Sequence, residues 1–198
     1  NKEEEEEEEK KNKKNIKLCS DGEYTLKRLI RGISSSRDSA RQGFSSCLCQ
    51  FLKNFNVNIN EVIELIDDST KQTGNLKGSE ERELMFGRLF NYLAIIRAGK
   101  VNDSKIALHI LDRFIELHKR KGWIREVVSE AILSLLNTFP NDEETVQSAI
   151  NKIKLILEIN EIDEIPAHDL ILISGLQAYS EQKHSQGFSN LSQIVNQF

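Results

Sequence analysis

Lys27, Arg28, Arg31, Arg37 and Arg41 crowd into one short stretch of a chain whose formal net charge is -4. Guanidinium and ammonium groups at such density suit phosphate oxygens or the carboxylates of an acidic peptide. Lys27, Arg28 and Arg31 occupy adjacent positions of one helical pattern. Arg37 and Arg41 stand at i, i+4 on the next. Arg88, flanked by Arg82 and Arg97 at intervals near a helical turn, extends the same ridge further along the chain. Two arrangements are open to these cations. Facing outward, they form a contact surface for nucleic acid or a protein partner. Facing a neighbouring helix, they pair internally with carboxylates such as Asp38, Glu61 or Glu64.

No other residue set matches a reaction. Nucleotidyl transfer needs carboxylates converging on metal ions, and Asp67-Asp68, late in a helical pattern, reads as a solvated helix end. His109 and His118 stand nine apart, while His168 and His184 lie near helix ends. None has a Cys or His at i+3 or i+4 to complete a zinc pair, so capping or surface roles are expected. Ser45 and Ser46 lack a nucleophile elbow, and Asn75-Leu-Lys-Gly78 lacks the frame of a phosphate loop. The sequence assigns no catalytic residue, no metal ligand and no cofactor.

The elements that must position the cations are helices. Leu26, Leu29, Ile30 and Ile33 recur at i, i+3, i+4, i+7 and share a face. Gly32 interrupts that pattern, and Ser34-Ser35-Ser36 offers N-caps for the next helix. The second helix carries Ala40, Phe44, Cys47, Leu48, Phe51, Leu52 and Phe55 on one stripe. Similar patterns predict helices near 23–32, 36–55, 59–71, 80–98, 104–121, 123–138, 142–160, 167–182 and 188–197. Ser79 precedes an acidic first turn, and Asp103 is placed to cap a helix. Asn141-x-x-Glu144 resembles a capping box, Pro166 suits a first helical position, and Gly99, Gly122 and Pro140 mark stops. Trp123 opens the sixth pattern; an exposed Trp there would mark an interface, and packing between two helix ends is the commoner role.

Two prolines and ten glycines in 198 residues suit long helices rather than a turn-rich sheet fold. Paired helices of about 40 residues have the length of HEAT or armadillo repeats, without a residue-level signature. The expected fold is all-α, a HEAT/armadillo-like α-solenoid segment of stacked antiparallel helix pairs, with a compact helical bundle as the alternative. Residues 1–18 hold Glu3 to Glu9 unbroken, then Lys10, Lys11, Lys13 and Lys14. Such a low-complexity leader is expected to be disordered, its lysine cluster a nuclear localisation signal or a solvated tract. Residues 19–198 then form the helical-repeat domain. An initial Asn suggests a fragment of a longer chain. Cys19, Cys47 and Cys49 form no even framework and suggest reduced intracellular thiols. No apolar run approaches the about 18 residues of a membrane span.

The corner itself carries a family likeness. Tyr24, Leu26, Lys27, Arg28 and Leu29, then Gly32, then Arg37, Ala40 and Arg41, resemble the amino-terminal region of the Myb-binding protein 1A family, also called DNA polymerase phi or polymerase V. Leu84-Met-Phe-Gly-Arg-Leu-Phe-Asn-Tyr-Leu-Ala-Ile-Ile-Arg-Ala-Gly-Lys-Val101 is similar to a second family motif, with Asn91 where glycine is usual. The likeness covers residues 24–101. It implies a non-enzymatic scaffold of the nucleus and nucleolus, acting in ribosomal RNA gene transcription and ribosome biogenesis. The implied partners are transcription factors or pre-ribosomal proteins, with ribosomal DNA or RNA as further ligands. Alternatives are a helical-repeat adaptor of other purpose, such as cytoplasmic trafficking, or part of a true DNA polymerase whose catalytic domain lies elsewhere.

Overall fold

Apolar residues recurring at helical spacing fold into helices here, and every regular element among the described residues is helical. The computed structural model describes residues 18–72, 74, 76, 78–139, 142–157 and 165–184. The expected leader (apart from Leu18), Pro140, Asn141 and the expected helix at 188–197 lie outside them. In order come α1 (Ser20–Gly32), α2 (Asp38–Asn54), α3 (Ile59–Ser69), α4 (Gly78–Arg97), α5 (Ser104–Arg120), a 3-10 turn (Gly122–Ile124), α6 (Arg125–Leu136), α7 (Glu143–Lys154) and α8 (Ala167–His184). No helix among the described residues is long and apolar enough to cross a membrane. The chain forms two compact units, one up to Lys100 and one from Val101 onward.

In the first unit, α1 buries Leu26 and Ile30, and Ile33 just beyond it is fully enclosed. Full burial of side chains of this size contributes about 1.5–3 kcal/mol each. The α2 stripe buries Leu48, Phe51 and Leu52, with Phe55 half-exposed. Cys47, expected on that stripe, is exposed, whereas Cys49 is buried. Both α2 and α3 pack against α1 and α4. The central helix is α4: Leu89, Tyr92, Leu93, Ala94, Ile95 and Ile96 are buried almost all the way round it. The hydroxyl of Tyr92 donates to Asp67 Oδ1 at 2.8 Å. Asp67 is therefore tied into the packing rather than left as a solvated end.

Two glycines allow the α1–α2 corner its close fit. A Cβ on Gly32 would lie 2.6 Å from the Phe44 ring, and one on Gly87 would lie 2.0 Å from Ser34 Oγ. One turn along from Gly87, the buried Asn91 amide donates to Ile30 O at 3.2 Å and to Gly87 O at 2.8 Å. The Asn91 side chain thus stitches α1 to α4. The serine run does not cap α2 as expected. Ser35 Oγ instead accepts from Arg37 N at 3.3 Å, so the serines build the turn, and the helix begins at Asp38 with an acidic first turn.

In the second unit, Asp103 caps α5 as expected, its Oδ1 accepting from Ile106 N at 2.9 Å. The α5 core face is Ile106, Ile110, Leu111, Phe114 and Leu117. Trp123 is 47% exposed on the 3-10 turn, which occupies the start expected for the sixth helix. For α7 the cap is Asp142 rather than the expected Asn141 box. Its carboxylate accepts from Thr145 N at 3.2 Å and from the Thr145 hydroxyl. These bonds, the hydroxyl's foremost, hold the Asp142 carboxyl below its ordinary value. The last bonds of α7 run from Ile156 N to Ile153 O and from Leu157 N to Lys154 O, a tightened end short of the expected 160. Pro166 stands just ahead of α8, its carbonyl accepting from Leu170 N at 3.0 Å. α6 packs on α5 and α8, and α7 packs on α5.

Candidate functional site

The structure divides the six sequence-selected cations into two groups. Lys27, Arg28 and Arg31 on α1 and Arg37 at the head of α2 are exposed. Lys27 and Arg31 stand one turn apart, and Arg28 lies three residues before Arg31, so the three share one flank of the helix. Long cationic side chains placed this way keep their charged heads in water.

Arg41 and Arg88 are engaged inside the first unit. The Arg41 side chain is only 9% exposed and forms an ion pair with Asp38. Its Nη1 donates to Ser35 O at 2.7 Å, and its guanidinium lies 4.8 Å from the centre of the Phe86 ring. Arg82 approaches the same ring at 5.6 Å. One aromatic on α4 therefore receives cations from α2 and from its own helix, each attracted by the ring's negative face. Arg88 Nε donates to Thr70 Oγ1 at 3.0 Å and its Nη2 to Thr70 O at 3.3 Å. α3 has no basic residue in its last turn, and Arg88 supplies from α4 the positive charge that a helix C-terminus favours.

Sequence reasoning named Asp38 as a partner for the arginines but missed Phe86, Ser35 and Thr70. Backbone carbonyls and ring faces leave no signal in residue spacing. It also expected capping or surface roles for the histidines. His118 is instead 2% exposed at the end of α5, and its ring meets that of His168 at 5.3 Å between centres. A separation of fifty residues hides such a pair from any search within one helix.

The family model described as DNA polymerase phi matches residues 24–193, from Tyr24 ahead of the cations to beyond α8. The chain belongs to the DNA polymerase phi family. Among its relatives, the rDNA transcriptional regulator pol5 of Schizosaccharomyces pombe is 31% identical over 123 residues, 60% of this chain and 13% of its own length. The rDNA transcriptional regulator POL5 of Saccharomyces cerevisiae is 29% identical over 133 residues, 52% of this chain and 13% of its own. Myb-binding protein 1A of Rattus norvegicus is 26% identical over 196 residues, 89% of this chain and 14% of its own. This member of the DNA polymerase phi family thus spans about a seventh or less of each of these relatives. No solved structure matches it.

Proposed function

We propose that this chain is a non-catalytic, HEAT-like helical scaffold segment of a nuclear and nucleolar protein acting in ribosomal RNA gene transcription and ribosome biogenesis. The relatives named as rDNA transcriptional regulators and Myb-binding proteins support that assignment. The observation that carries it to residues is the exposure of Lys27, Arg28, Arg31 and Arg37 around the α1–α2 corner. They hold an acidic stretch of a transcription factor or pre-ribosomal protein, or the phosphates of ribosomal DNA or RNA. Arg41 braces the corner from within, and Arg88 ties α4 to the end of α3.

The deciding experiment is binding of the chain to duplex ribosomal DNA and to structured RNA across a salt series, beside a Lys27→Ala/Arg28→Ala/Arg31→Ala/Arg37→Ala variant. Micromolar or tighter binding that weakens with salt and is lost in the variant establishes a phosphate surface. Absence of binding by the intact chain removes nucleic acid from the proposal and leaves the acidic protein partner. A true polymerase whose catalytic domain lies elsewhere in the longer relatives is the competing reading. Primer extension by the whole protein, with an acidic-residue variant as control, decides it.

A further inference from the structure

In the second unit, His118, His168 and Asp169 bring three ligand atoms within 4.8 Å of one another. His118 ends α5, 2% exposed, and Asp169 lies in the first turn of α8 with no exposure at all. His168 Nε2 stands 3.6 Å from Asp169 Oδ1. The backbone at two of the three is anchored: Arg125 Nε donates to His118 O at 3.2 Å, and Asp169 N donates to Pro166 O at 2.9 Å. Two imidazoles, the commonest metal-binding side chains, stand within reach of that buried carboxylate.

We propose that His118, His168 and Asp169 bind a divalent first-row metal ion, zinc by the character of the donor set. Two imidazoles and a carboxylate are a zinc ligand combination, with a water at the fourth tetrahedral position. Three atoms so spaced surround a point at most about 2.8 Å from each, and side-chain shifts of under an ångström bring them to the about 2.0–2.1 Å of zinc bonds. The ion would join two helices of the second unit. α6 packs on both α5 and α8, and a metal joining the end of α5 to the start of α8 closes that three-helix arrangement into a ring. This assignment is independent of the cationic corner, because it uses other residues in the other unit.

The test is titration of the metal-stripped chain with zinc chloride, read by calorimetry and by thermal unfolding, with cobalt(II) as a spectroscopic substitute. The expected result is one strong site per chain, a raised Tm with zinc, and a tetrahedral cobalt spectrum without a thiolate charge-transfer band. His168→Gln and Asp169→Asn, which preserve side-chain size, are expected each to weaken that site at least tenfold. His109→Gln, on the same helix as His118 but outside the cluster, should leave it unchanged. His118→Ala removes a buried ring and is liable to unfold, so the two milder variants carry the test. Failure to bind zinc at micromolar concentration overturns the proposal. So does undiminished binding in both milder variants, or a cobalt spectrum showing sulfur ligation. Each of these results would leave the three side chains a packed polar cluster and not a metal site.

Discussion

Arg41 and its exposed neighbours differ by what removing each would leave behind. Arg41→Ala deprives a buried site of an ion pair, a bond to Ser35 O and a cation on the Phe86 ring. The expected loss is about 2–3 kcal/mol in chemical denaturation. Single alanine substitutions at Lys27, Arg28, Arg31 or Arg37 should stay within about 0.5 kcal/mol, as changes at exposed positions do. Tyr179 in α8 offers a second residue-scale measurement. Burial pushes its phenol from 10.0 up to about 12. The folded state therefore holds that proton more tightly than the unfolded chain. The stability this contributes is complete below pH 10 and disappears as pH rises toward 12. Tyr179→Phe should flatten this alkaline loss in a series of melts, and an unchanged alkaline slope would contradict the assignment. At this scale the sequence was legible only halfway. Charge and spacing marked the cations, but whether a guanidinium meets water or a carbonyl depends on chain segments far away in sequence.

Helices were the most readable level, because an apolar stripe at period 3.6 must be covered by something. α1, α3, α5 and α8 lie within three residues of where periodicity and caps put them. The misreadings are at ends: the serine run before α2, the 3-10 turn at Trp123 and the Asp142 cap. Several polar residues compete at each such end, and a shift of one residue costs little, so the sequence leaves the choice open. Close helix contacts are similarly hidden until glycine is placed. In α8, a Cβ on Gly175 would sit 2.3 Å from Leu133 Cδ1 and 2.9 Å from its Cγ. Rotation about χ2 moves the Cδ atoms but leaves Cγ in place, so clearing both takes a change of χ1 within the packed contact or a shift of α6 or α8. Gly175→Ala gains about 1 kcal/mol of helix propensity but should destabilise overall by about 1–2 kcal/mol through overpacking. A thermal melt decides the sign, and a raised Tm would show that the α6–α8 contact is slack.

For the molecule as a whole, a net charge of -4 argues against indiscriminate binding to nucleic acid. Any phosphate affinity must be local and therefore modest in its salt dependence. With four exposed cations at the corner, the slope of log K against log salt on duplex DNA should not be steeper than about -4. Each alanine substitution among the four should reduce it by about 1. A much steeper slope would place additional contacts elsewhere on the chain. Membership of the family was readable from two short motifs, the first of which mixes the buried Leu26 and Arg41 with the exposed Lys27, Arg28 and Arg37. The division into two compact units was not readable, because helical patterning runs through Gly99 and Lys100 as through any other short break.

Trp123, half-exposed on the turn between α5 and α6, is the chain's single tryptophan. Its emission therefore samples the second unit only, whereas far-ultraviolet dichroism sums helices from both. Followed together through a denaturant ramp, the two signals divide the molecule optically without any label. A gap between their midpoints would give each half its own melting behaviour, and superposition would mean that both halves come apart in one step.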